Sequence, residues 1–197
     1  MRRNISICKK GWKRVTAAGL CTVLLFGGFA KTVKGAAVFY AIVEEQEMSQ
    51  WCWVASARGV ARGETTVTKT QADGVRAIKG NVIDEGGTDD ETLRATKYFS
   101  PNSDFIMYGP LSFNQIQACI NNGHLILTLY DPLIDVHLNG HAMFVTGYNT
   151  NNGRQDVWYC EPFEGFTGWY PFDCFNRMET GGGIVLEYTN SIFCRMK

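Results

Sequence analysis

The residues of this chain best suited to covalent chemistry are a cysteine and a small set of histidines. In "EEQEMSQWCWVASARGVARG", residues 44 to 63, Cys52 stands between Trp51 and Trp53, with Gln46 six residues before it. Ser49 is a candidate cap for a helix from about Trp51 to Arg62 that Gly63 ends. Cys52 then lies in the first helical turn, where unpaired backbone amides favour a thiolate, the reactive form of the side chain. A cysteine flanked by tryptophans also suits a packed core, so the other residues of a nucleophilic site decide between the two readings.

A thiolate nucleophile needs a partner that holds its proton and later returns it to the leaving group, and histidine is the usual one. The chain has three: His124, His137 and His141. His124 follows "INNG" at the head of an apolar run, and His137 lies in the polar stretch "YDPLIDVHLNG". His141 opens "HAMFVTGY" directly after Gly140, so a strand would hold its ring and the glycine would leave room beside it. His141 is the expected partner. The "HLNGH" spacing of His137 and His141 matches a helical zinc motif, but Leu138 stands where that motif needs glutamate and Gly140 opposes the helix. With no Cys-x-x-Cys pair either, no metal site and no organic cofactor is expected.

The elements that must carry these residues divide the chain in two. "TKTQADGVRAIKG" suggests a weaker helix, interrupted at Gly74 and stopped at Gly80. Thr88 with Glu91, and Ser112 with Gln115, have the spacing of capping boxes and open two further helices. From residue 124 onward the pattern becomes short apolar or alternating runs: His124 to Tyr130, His141 to Tyr148, Gln155 to Cys160, Thr167 to Phe172 and Gly183 to Thr189. Asn-Gly and glycine-rich turns bound them, as expected of strands. Helices first and antiparallel strands afterwards predict an α+β fold in one domain.

Residues 1–35 read differently. A basic leader (Arg2, Arg3, Lys9, Lys10, Lys13, Arg14) precedes the apolar run Val15 to Ala30 and then small residues at Ala30, Gly35, Ala36 and Ala37. This is the layout of a secretory signal peptide, and the 16-residue apolar run is short for a bilayer span. Export is therefore expected, with residues 36–197 as the mature domain and no stable membrane insertion. The chain has 19 basic and 19 acidic residues, and the first 35 hold eight of the basic and none of the acidic. The remainder, 11 basic against 19 acidic, offers no electrostatic basis for binding nucleic acid. It keeps five cysteines, an odd number that suggests one free thiol; Cys119, Cys160, Cys174 and Cys194 could pair in three ways or stay reduced.

Taken together, these segments resemble the papain-like cysteine peptidase superfamily. "QEMSQWCWVASA" looks like its nucleophile segment, "GHAMFVTGY" like its histidine strand, and "VWYCEPFEGFTGW" like the strand and loop that bring a third catalytic residue. The order Gln, Cys, His, acid runs through residues 44–172, and the Cys-Trp pair, small size and leader are most similar to bacterial C39-like and AvrRpt2-like peptidases. The resemblance implies a helical half and a sheet half with the active site in the cleft between them. It implies Cys52 as nucleophile, His141 as general base and acid, and Gln46 as an oxyanion donor beside the Cys52 backbone amide, with Gln50 as a competing candidate.

The third position departs from the family's asparagine or aspartate. Glu161 occupies it, with Asp156 earlier on the same strand as the alternative. Phe163 or Trp169 would shield that residue's hydrogen bond from water. The expected activity is hydrolysis of peptide bonds in a peptide or protein substrate, through an acyl-enzyme. Acyl transfer to an amine, removal of a group from a cell-wall peptide, and a non-catalytic binding module of the same fold are the alternatives. Trp51, Trp53, Trp158 and Trp169 read as packing residues.

Overall fold

A computed structural model describes residues 35–39, 42–133, 140–180 and 183–196. The candidate leader, apart from Gly35, and His137 lie outside the described residues. In chain order the elements are β1 (Ala36–Val38), α1 (Cys52–Glu64), α2 (Gln71–Lys79), α3 (Asp89–Phe99), β2 (Phe105–Tyr108), α4 (Phe113–Asn121), β3 (Ile126–Pro132), β4 (His141–Asn149), β5 (Asp156–Glu161), β6 (Phe166–Pro171), α5 (Phe172–Phe175), β7 (Arg177–Glu179) and β8 (Val185–Cys194). The fold is α+β, helices followed by an antiparallel sheet.

Local chemistry explains most helix boundaries. Thr88 with Glu91 and Ser112 with Gln115 form reciprocal capping boxes at α3 and α4, as their spacing predicts. Thr70 and Asp73 form a third at α2. Two helix expectations need correcting. Gly74 does not interrupt α2: a Cβ there would stand 2.5 Å from the Phe99 ring and 2.8 Å from Val54, so glycine lets α2 approach its neighbours. Ser49 does not cap α1 either. The cap residue is Trp51, without a side-chain bond, and the Ser49 hydroxyl donates to Asp84 instead.

The sheet runs β2-β8-β3-β4-β5-β6, antiparallel throughout, with β1 paired to the far end of β4 and β7 to β8. β2 joins this sheet although it lies between two helices in sequence, so the division into halves is not strict along the chain. Helix α1 is the spine of the core. Its Val54, Ala55, Ala57, Val60 and Ala61 are fully buried, packed between α3 and strand β4. On another side of the sheet Phe175 of α5 gathers Tyr130, Tyr159, Tyr170 and Tyr188 at 5.7–6.5 Å between ring centres. The segment before α1 is held by buried Glu44, whose carboxylate takes Arg58 at 2.5 Å and Arg62 at 2.9 Å, both from α1. Gln71 of α2 adds a third donor at 3.0 Å.

Candidate active site

Cys52 is the first residue of α1. The first intrahelical bond is Ala55 N–H to Trp51 C=O, so the amides of Cys52, Trp53 and Val54 precede the hydrogen-bonded ladder. The segment that leads into the helix is tied down from outside. Asp84 accepts from the Ser49 hydroxyl at 2.7 Å and from the Gln50 amide at 2.8 Å, and these bonds hold its carboxyl below the usual range. The two tryptophans beside the cysteine are buried, their indole N–H groups donating to the carbonyls of Ile83 and Glu85. The loop of residues 81–88 thus clamps the nucleophile segment. No periodicity marks that loop in the sequence.

His141 is the first residue of β4 and pairs with Tyr130 of β3. Gly140 is required there, since a Cβ would stand 2.4 Å from the Tyr130 carbonyl oxygen. In the β4–β5 ladder Phe144 faces Cys160, so Glu161, the next residue on β5, falls on the sheet face of Met143 and His141. The ring nitrogen Nε2 of His141 lies 2.7 and 2.8 Å from the two oxygens of Glu161. Glu161 is buried and also accepts the Phe163 backbone N–H at 2.9 Å. That leaves Nδ1 as the ring nitrogen available to Cys52, which lines the same cleft. Burial opposes a charge on this imidazole, but the influence of Cys52 and Glu161 outweighs it and pushes its pKa up to about 10.

Asp156 is at the other end of β5, buried against Arg154 at 2.9 Å and opposite Asn149. Glu161, and not Asp156, is therefore the acid beside the histidine. His124 is not near this group; its Nδ1 is bound to Glu64 at 2.8 Å.

The glutamines divide differently from what the resemblance implies. Gln46 directs its side-chain amide nitrogen to the carbonyls of Met48 and Ser49, both at 2.8 Å, which shapes the turn before α1. Both amide hydrogens are taken in this conformation. Gln50 lines the cleft together with Cys52 and His141. Phe163 is 63% exposed, and Trp169 meets Trp158 edge to face at 5.1 Å while 37% exposed, so neither is a fully packed residue.

The remaining described thiols are unsuited to the same chemistry. Cys119 and Cys160 are free and buried, and burial raises them to about 11 and about 12. Cys52 is the free thiol that opens onto a cleft of about 590 Å³. That cleft runs between the start of α1, the loop before α3 and the adjoining ends of β3 and β4. Its walls carry Glu85, Asp89 and Asp131 and no Lys or Arg among the described lining residues. The site places a thiol, an imidazole and a carboxylate in sequence at the edge of a cleft, which suits nucleophilic attack on an acyl group.

The protein has a papain-like peptidase fold. A solved structure of a C39-like peptidase from Bacillus anthracis superposes with a TM-score of 0.56 at 11% identity, covering 82% of this chain and 98% of that one. A digestive procathepsin L 3 from Tenebrio molitor larval midgut matches at 11% identity and a TM-score of 0.42, over 70% of this chain and 69% of that one. A structure concerned with the mite allergens Blo t 1 and Der p 1 matches at 10% and 0.43, over 75% and 66%. No protein-family model matches the chain, and no curated protein sequence does either.

Proposed function

We propose that the protein is an exported cysteine peptidase that hydrolyses peptide bonds through Cys52, His141 and Glu161. One observation carries this reading: His141 is bonded to Glu161 through one ring nitrogen and shares the wall of a cleft with Cys52. The raised basicity of the imidazole favours its cation beside the sulfur, which is the state a thiolate nucleophile requires.

In this mechanism the Cys52 thiolate attacks the scissile carbonyl carbon. Negative charge develops on the former carbonyl oxygen, where the unpaired amides at the start of α1 are available as donors. Gln50, which lines the cleft, is the candidate for a further donor, and Gln46 acts by shaping the turn that presents Cys52. His141 gives its proton to the departing amine, leaving an acyl-enzyme. It then takes a proton from water, whose oxygen attacks the thioester and releases Cys52. Glu161 keeps the ring oriented and stabilises its cation.

Export rests on the basic-apolar-small layout of residues 1–35. Among the described residues no helix is long and apolar enough to cross a membrane.

The test is alkylation of the chain lacking residues 1–35 with iodoacetamide at about pH 6, with peptide mapping, beside His141→Ala. An ordinary thiol, with a pKa of about 8.5, is almost wholly protonated there and reacts slowly. Fast labelling confined to Cys52 that disappears in the variant is the expected result. Slow labelling, or labelling indifferent to His141, would remove the basis for a peptidase and favour a binding module of the same fold.

A further inference from the structure

We propose that Glu64, His124 and Cys194 form a zinc-binding site, separate from the cleft, that ties the end of α1 to the sheet. Glu64 is the last residue of α1, His124 lies two residues before β3, and Cys194 is the last residue of β8. One donor atom from each lies within 4.8 Å of the other two. Along α1 the group is about 18 Å from Cys52, at 1.5 Å of rise per residue. It is therefore independent of the peptidase reading.

The three backbones are fixed before any ion arrives. The His124 amide donates to the Cys119 carbonyl at 3.0 Å. Cys194 pairs with Phe105 of β2, and the next amide, that of Arg195, donates to Asp104 at 2.9 Å. The side chains of Glu64 and His124 are 13% and 19% exposed, and Cys194 is buried. The group is shielded, yet open enough for an ion to reach it.

The donor set selects the metal. A thiolate, an imidazole and a carboxylate together suit zinc, whereas calcium and magnesium require oxygen ligands throughout. At zinc bond lengths, neighbouring ligands of a tetrahedral site are roughly 3.5 Å apart. On binding, the Glu64–His124 contact of 2.8 Å would open slightly, and any separation near the 4.8 Å limit would close. The fourth position is left for water.

Charge points the same way. Glu64 places a carboxylate beside the His124 ring and the Cys194 sulfur. A divalent ion displaces the thiol proton to solvent and forms the S–Zn bond, and its two charges match one thiolate and one carboxylate. The Glu64–His124 contact is complete without Cys194; the thiol beside them is what converts it into a ligand set.

The test uses the chain lacking residues 1–35 as its Cys52→Ser variant, which removes the cleft thiol as a competing ligand. Cobalt(II) is added and the thiolate-to-cobalt charge-transfer absorption recorded, followed by displacement with zinc. One equivalent bound with that band, and a rise in Tm on adding zinc, are expected. Both should vanish when Cys194→Ser is added, and His124→Gln should weaken binding by more than the roughly 10–100-fold lost with an outer-shell partner. Absence of the band in the folded Cys52→Ser protein overturns the proposal without any further variant. A band that survives Cys194→Ser overturns it as well, and if that variant does not fold, one that survives His124→Gln does so.

Discussion

The Ser56 hydroxyl donates to the backbone carbonyl of Ala142 at 3.0 Å, joining the nucleophile helix to the histidine strand. Ser56 lies one turn after Cys52, Ala142 is the residue after His141, and both are buried. This bond sets the separation of the two halves where the thiol and the imidazole meet. Ser56→Ala should cost about 1 kcal/mol of stability, the usual net worth of one hydrogen bond. It should also slow Cys52 alkylation at pH 6 while leaving its dependence on His141 intact. Chemical denaturation and labelling rates measure both; wild-type labelling in a destabilised variant would confine Ser56 to packing.

Glu161 is the partner that holds the ring of His141. Glu161→Gln keeps the shape but offers His141 a neutral amide in place of a charged acceptor. Under the peptidase reading it should lower kcat by roughly 10²–10⁴-fold, within the range that proton transfer and its orientation contribute, with little change in KM. Asp156→Asn should leave kcat near wild type, because Asp156 sits at the far end of β5 with Arg154. Equal losses in the two variants would show that the acid was misassigned.

The raised pKa of His141 links stability to pH. Its ordinary value is 6.5 and its value here is about 10, so the folded chain holds this proton more tightly than the unfolded one. The associated stability is fully present below about 6.5 and is lost as pH rises through about 10. Thermal melts of wild type and His141→Gln across that window should show a Tm difference that shrinks steadily with rising pH. A difference independent of pH would mean that the histidine holds no extra proton in the folded state.

The cleft is negatively lined. Asp89 is raised by burial and by the nearby Asp131 and Asp90, while Asn190 donates to it at 2.6 Å. A peptide with Lys or Arg near its scissile bond should therefore be cleaved faster than one with Glu there. Neutralising two wall charges together, Glu85→Gln with Asp131→Asn, should cut that preference about tenfold at low salt, at roughly 0.5–1 kcal/mol per pair. Raising the ionic strength should reproduce part of the loss in wild type. Specificity constants for the two peptides at two salt concentrations decide it.

Much of this architecture was legible in the sequence because it rests on local patterns. Capping boxes at Thr88 and Ser112, alternation along "HAMFVTGY" and turn residues around it depend on neighbours three or four positions away. The same patterns placed Cys52 at a helix start and His141 at a strand start. Alternation on β4 and β5 also made a Glu161–His141 contact readable once a family register was assumed. The tertiary structure decided what depends on long-range contact. It gave Ser49 to Asp84, turned Gly74 into a packing surface for Phe99, recruited β2 to the sheet edge beside β8, and separated Glu161 from Asp156 by the length of a strand. It also directed the Gln46 amide to Met48 and Ser49 and left Gln50 on the cleft wall. Most of all, it gathered Glu64, His124 and Cys194 from positions 60 and 70 residues apart. A pattern read along the chain carries no information about which distant side chains share a volume, since packing alone brings them together.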